Sequence, residues 1–122
     1  MRILIVEDHA DSAAVVAEIL RRMGHEVRSA ATGTEALRAF DDEPSFDLMI
    51  SDIGLPDMTG WELLARVRDR RRAVPAIAVT AFGSPGDEER SRAAGFCAHV
   101  PKPVNLATLR AAVAQFGAGP AV

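Results

Sequence analysis

Five side chains far apart in the chain form a chemical unit if the fold gathers them: Glu7, Asp8, Asp52, Thr80 and Lys102. Each ends or closely follows a short apolar run. RILIV precedes Glu7 and Asp8, DLMIS precedes Asp52, PAIAV precedes Thr80, and Phe96 to Val100 leads to Lys102. If these runs are parallel strands, their C-terminal ends share one edge, where open α/β sheets place their sites. Three carboxylates brought together repel, and a shared cation relieves them. All-oxygen ligation with positions left for water suits Mg²⁺ better than zinc or copper. A hydroxyl and an ammonium group are surplus to a simple metal site, but they suit an anion with several oxygens beside the metal. A phosphoryl group on Asp52 meets that description: Mg²⁺ and Lys102 neutralise its oxygens, and Thr80 donates a hydrogen bond. Asp52 is then a nucleophile that forms an acyl phosphate, with binding and alignment providing most of the catalysis. Each residue alone has a plainer reading as a turn, cap or surface group. Their joint occurrence at four strand ends in one polarity favours the site.

The intervening segments read as the elements that position these groups. Arg2 to Val6 is a first strand, and Asp11 or Ser12 can cap a helix carrying Val15, Val16, Ile19, Leu20 and Met23, stopped by Gly24. Glu26 to Ala30 alternates weakly, as an edge strand would. Thr34 starts a second helix through Ala36, Leu37 and Phe40. The run ending at Asp52 is buried on both faces, Gly54, Pro56 and Gly60 break it, and Thr59 with Glu62 has capping-box spacing for a third helix from about Trp61. Pro75 to Val79 is the fourth strand. Ser84, Pro85 and Asp87 open a fourth helix with almost no large apolar residue, which should pack least firmly. Phe96 to Val100 is the fifth strand, and Asn105 caps a last helix with Leu106, Leu109, Val113 and Phe116 on one face. Five strands alternating with five helices predict an α/β, doubly wound, flavodoxin-like parallel sheet in the order 2-1-3-4-5. Residues 1–117 form one domain and 118–122 a tail.

Composition agrees with one ordinary globular domain: 122 residues, 48% hydrophobic and 25% charged. A net charge of −3 gives no reason to expect direct nucleic-acid binding. Arg66, Arg68, Arg70, Arg71 and Arg72 read as a solvated helix end, with a docking patch for an acidic partner as the alternative. The single cysteine, Cys97, excludes an internal disulfide and reads as a buried thiol in the fifth strand. No apolar run approaches a membrane span and no cleavable signal opens the chain, so a cytoplasmic location without membrane attachment is expected. His9 and His25 read as surface residues, His9 with metal ligation or phosphoryl relay as its alternative.

With these residues in place, the chain closely resembles the receiver domain of two-component response regulators from Arg2 to about Phe116. The resemblance rests on LIVED, DLMISDIGLPDMTG, VTA and PKPVN. It implies that Asp52 accepts phosphate from a sensor histidine kinase, a His phosphotransfer protein or a small phosphodonor. It further implies Mg²⁺ held by Glu7, Asp8, Asp52 and the Gly54 backbone carbonyl, a cis Lys102–Pro103 peptide, and switching of the face formed by the fourth helix, fifth strand and fifth helix. A downstream protein target, and homodimerisation through that face, follow from the same resemblance. Such a domain is not an enzyme beyond its own phosphorylation and dephosphorylation. Many receivers carry Tyr or Phe three residues before the lysine; here His99 stands there and reads as a passive, partly exposed histidine, with a pH-sensitive Thr80–His99 switch as the alternative. Gly54 and Phe82 border the route of the hydrolytic water, and slow self-dephosphorylation is expected. A phosphorelay intermediate or the receiver piece of a hybrid histidine kinase is the alternative context. An aspartyl-phosphate phosphatase is a rival, but it typically pairs its nucleophile with a second Asp two residues on, where Gly54 stands. An inert interaction module is the other rival.

Overall fold

The computed structural model describes residues 1–43, 45–70, 73–81 and 85–117, with the side chains of residues 85, 116 and 117 left aside. Five strands alternate with five helices: β1 (Arg2–Val6), α1 (Ala10–Arg22), β2 (Glu26–Ala30), α2 (Gly33–Asp42), β3 (Leu48–Asp52), α3 (Gly60–Asp69), β4 (Ala76–Thr80), α4 (Pro85–Ala94), β5 (Ala98–Pro101) and α5 (Leu106–Gly117). The strands form one parallel sheet in the order β2-β1-β3-β4-β5, as the alternating pattern predicts. β3 and β4 are buried along their whole length, which is why their sequences run apolar without alternation. One face of the sheet, with Leu4, Val6 and Met49, packs on Leu37 and Phe40 of α2 and Leu63, Leu64 and Val67 of α3. The opposite face, with Ile3, Ile5, Ile50 and Ile77, packs on Val16 and Leu20 of α1 and Leu109 and Val113 of α5. Each such buried side chain contributes about 1.5–3 kcal/mol relative to exposure.

Several boundaries differ from the sequence reading. Residues 7–9 alone separate β1 from α1, so the helix begins at Ala10 with His9 at its N-cap, and Asp11 and Ser12 lie in the first turn instead of capping it. α2 starts one residue early because Thr32, not Thr34, caps it. Its hydroxyl accepts from the Glu35 N–H (3.0 Å) while the Glu35 carboxylate accepts from the Ala31 N–H (2.8 Å). The α1 stripe is carried by Ala13, Val16, Ala17 and Leu20; Val15, and Leu106 of α5, point outward and are 58% and 51% exposed.

β5 begins two residues later than its apolar run. Gly95 takes φ +110 to leave α4, Phe96 tucks into the core, and Cys97 passes outside the strand with its N–H bonded to the Ala76 carbonyl. Cys97 is therefore exposed, which corrects its reading as a buried thiol. His25 is half-buried rather than superficial; its Nδ1 accepts from the Met1 amino group, and burial followed by that positive charge lowers its pKa. Arg68 donates to the Val74 carbonyl and Arg70 pairs with Asp41, the behaviour of a helix-end cation group. Arg71, Arg72, Phe82, Ser84, the Phe116 side chain and the tail 118–122 lie outside the described residues. No described helix is long and apolar enough to cross a membrane.

Candidate functional site

The C-terminal edge of the sheet gathers Glu7, Asp8, Asp52 and Lys102. The Lys102 ammonium donates to Glu7 Oε1 and to Asp52 Oδ2, both at 2.7 Å, closing a bridge between β1, β3 and the segment after β5. The Lys102–Pro103 peptide is cis, and the Lys102 N–H bonds to the Thr80 carbonyl (2.8 Å). Glu7 and Asp52 are each 8% exposed, so both carboxylates depend on this partner. Burial lowers the Lys102 pKa, but the hydrogen bonds and charges of Asp52 and Glu7 outweigh it and hold the ammonium above its ordinary 10.5.

Lys102 uses one oxygen of each carboxylate. The others face different donors: Asp52 Oδ1 accepts from the Gly54 N–H (3.2 Å) and Glu7 Oε2 from the His9 N–H (3.4 Å). Asp8, whose side chain is 32% exposed, stands beside them with its Oδ1 3.3 Å from His9 Nδ1. One donor atom from each of Glu7, Asp8, His9 and Asp52 lies within 4.8 Å of all the others. Carboxylate oxygens on a partly open rim suit a hard divalent cation that keeps several waters, so the donor set fits Mg²⁺. The Gly54 carbonyl belongs to the same loop, which folds back through a Gly54–Thr59 bridge. A side chain at Gly54 would meet nothing within 4 Å, so this glycine leaves open the space beside the acceptor.

Two packing features fix that loop. A β-carbon at Gly60 would stand 2.6 Å from the Asp52 carbonyl oxygen, so only glycine lets α3 start directly against the end of β3. Asp57, which the sequence reading passed over, accepts from the Gly33 N–H, the Thr34 N–H and the Thr34 hydroxyl at 2.7–2.9 Å, tying the loop to the N-terminus of α2. The hydroxyl bond is the largest cause of its pKa falling to about 2, with slight burial opposing and the two N–H groups assisting. The signal available in sequence was an acid facing a helix start, and it becomes informative only once the two segments are known to meet.

Thr80 is buried at the last position of β4, one residue beyond Val79, which pairs with Asp52. His99 stands elsewhere. It pairs in register with Ala78, two residues below Thr80, and faces a small cavity of about 100 Å³ also lined by Glu88, Ser91 and Arg92. Its buried Nε2 has no hydrogen-bond partner among the described residues. The same α4 surface is held to α3 by Trp61, whose indole N–H donates to the buried Ser91 hydroxyl (3.0 Å) while the Arg90 guanidinium lies 4.0 Å over the ring. The lone tryptophan was noticed in sequence only as a helix start.

Comparison with known proteins agrees with this fold. The family model for the response regulator receiver domain matches residues 3–114. The polar-differentiation response regulator DivK of Brucella ovis is 36% identical over 107 residues, covering 85% of each chain. The sensor histidine kinase RcsC of Salmonella typhimurium is 29% identical over 116 residues, which is 95% of this chain and 12% of RcsC. Among solved structures, the receiver domain of Saccharomyces cerevisiae Ssk1, co-crystallised with the histidine phosphotransfer protein Ypd1, is similar with a TM-score of 0.92 at 26% identity. That match covers 100% of this chain and 92% of the other.

Proposed function

The chain belongs to the response regulator receiver domain family, and from that premise we propose that it is a signalling switch phosphorylated on Asp52. One observation carries the reading: a single ammonium group bridges two buried carboxylates at 2.7 Å, at the edge where the acidic pair and a buried threonine also end.

In this reading an Asp52 carboxylate oxygen attacks the phosphorus of a phosphohistidine on a kinase or phosphotransfer protein. The new O–P bond forms as the P–N bond breaks, and the freed imidazole keeps the electron pair. Glu7, Asp8, Asp52 and the Gly54 carbonyl would hold Mg²⁺, which when bound offsets the negative charge of the incoming phosphoryl oxygens. Lys102 stays at the site and exchanges its contact with Asp52 Oδ2 for a phosphoryl oxygen. Thr80 supplies a hydroxyl donor from the neighbouring strand. Drawing Thr80 toward the phosphoryl group biases the α4–β5–α5 face between two arrangements, and that face is the surface for a downstream protein or a second copy of the chain. The weak apolar content of α4 suits a movable element.

The Ypd1–Ssk1 pairing and the RcsC match support a His phosphotransfer protein or kinase as the phosphoryl source, and a relay or hybrid-kinase context as the alternative setting. Incubation with acetyl phosphate and Mg²⁺, read by intact mass, tests the proposal. It predicts a gain of one phosphoryl group that Asp52→Asn abolishes. Turnover of a phosphorylated metabolite would instead support an enzyme, and neither result would support an inert module.

A further inference from the structure

We infer that His9 is a metal ligand, and that the Glu7–Asp8–Asp52 site takes first-row transition divalent cations through its imidazole as well as Mg²⁺ through its carboxylates. The inference rests on the metal site proposed above and adds a nitrogen donor to it. His9 Nδ1 lies 3.3 Å from Asp8 Oδ1 and 3.5 Å from Glu7 Oε2. Two donors in adjacent positions around an ion with bonds of about 2.1 Å stand about 3 Å apart, and two in opposite positions about 4.2 Å apart. Both His9 distances are close to the adjacent-position value, and the spread of the whole donor group, within 4.8 Å, needs only a small contraction to close on one ion.

The division of the carboxylate oxygens points the same way. Lys102 occupies Glu7 Oε1 and Asp52 Oδ2, while His9 sits against Glu7 Oε2, the oxygen that Lys102 leaves. The imidazole and the ammonium thus approach Glu7 through different oxygens, and ligation by His9 does not compete with Lys102 for an atom. Backbone geometry places the residue there. His9 is extended (φ −87°, ψ 110°) at the N-cap of α1, and its carbonyl accepts the Ala13 N–H. Its side chain is 71% exposed, which leaves the ring free to adjust and the ion open to water. An imidazole adds little for Mg²⁺, which prefers oxygen, and much for Ni²⁺, Co²⁺ or Zn²⁺, with Mn²⁺ gaining least. The plainer alternative is an exposed histidine that only neighbours two acids.

Competition against Mn²⁺ separates the two. Bound Mn²⁺ loses its free-ion paramagnetic resonance signal, and Mg²⁺ or Ni²⁺ displacing it reports on this site alone, unaffected by Ni²⁺ elsewhere on the protein. The measurement is made at pH 7.5 on the intact chain and on His9→Ala. His9→Ala is expected to raise the Ni²⁺ concentration needed for displacement roughly tenfold or more while changing that for Mg²⁺ less than twofold. Circular dichroism of His9→Ala verifies that the fold is kept. Equal small changes for both ions would overturn the role of His9 and leave the carboxylate site standing. Failure of the intact chain to bind Mn²⁺ at all would overturn the metal site itself, and with it this inference.

Discussion

The strand-end edge has two halves built by different means. On the β1–β3 side, Glu7 directly follows β1 and Asp52 ends β3, and Lys102 joins them through two short ionic hydrogen bonds. On the β4–β5 side, α4 carries the sequence PGDEERSRAA, and a tryptophan borrowed from α3 clasps it. The first half resists distortion because moving it would expose large apolar side chains or strand buried charge. In the second, β4 is as buried, but α4 has almost no large apolar side chain to expose, so a shift of this helix is opposed mainly by polar contacts such as the Trp61–Ser91 hydrogen bond and the Arg90–Trp61 cation–π contact. This asymmetry suits the proposed switch, with the site held in register beside a helix that can answer it. His99 Nε2, without a hydrogen-bond partner among the described residues, lies on the α4 side.

Substitutions in each half sharpen the contrast. The largest effect belongs to the buried side: Ile50→Ala, beneath the acceptor, should lower unfolding free energy by about 2–5 kcal/mol in urea titration. Lys102→Met should cost about 1–3 kcal/mol at pH 7 by leaving Glu7 and Asp52 facing each other without a cation. In the intact protein the raised Lys102 pKa contributes stability fully present below the ordinary 10.5 and lost as pH climbs through the raised value. An unfolding free energy unchanged by Lys102→Met at pH 7 would show that the two carboxylates do not depend on the ammonium.

On the other half, Trp61→Phe keeps the ring but removes the donor to Ser91. It should cost about 1 kcal/mol and speed amide exchange roughly fivefold in α4, with β1 and β3 unchanged. Uniform acceleration across the sheet would deny that α4 opens separately. The smallest effect belongs to the loop latch. Asp57→Ala should cost about 0.5–1 kcal/mol near neutrality, read as faster exchange of the Gly33 and Thr34 amides. Because Asp57 falls from 3.8 to about 2 on folding, its contribution is present above pH 3.8 and lost as pH falls through about 2. Wild type and variant should therefore converge over that interval.

The same asymmetry decided what could be read from the sequence. Glu7, Asp8, Asp52, Thr80 and Lys102 were legible because each closes an apolar run, and a parallel sheet leaves such ends on a single edge. Sheet order and the Thr59 and Asn105 caps were legible for similarly local reasons. What escaped depends on meetings between distant segments. Asp57 acquires a role only when α2 presents its first amides, and Trp61 only when Ser91 arrives opposite it. Cys97 was misplaced because an apolar run, Phe96 to Val100, was equated with a strand, whereas the turn at Gly95 uses its first two residues to enter the sheet. His99 was noticed for its residue type, but its buried, unsatisfied nitrogen could not be foreseen without the α4 surface that encloses it.

In the proposed switch, chemistry at Asp52 is felt along α4. Backbone amide shifts recorded with and without beryllofluoride and Mg²⁺ test it most directly, since the fluoride complex imitates a phosphoryl group on the acceptor. Large changes are expected along α4 and β5, including His99, small ones in α2 and the body of β1, and none in Asp52→Asn. Changes confined to the residues touching the acceptor, with α4 silent, would contradict it.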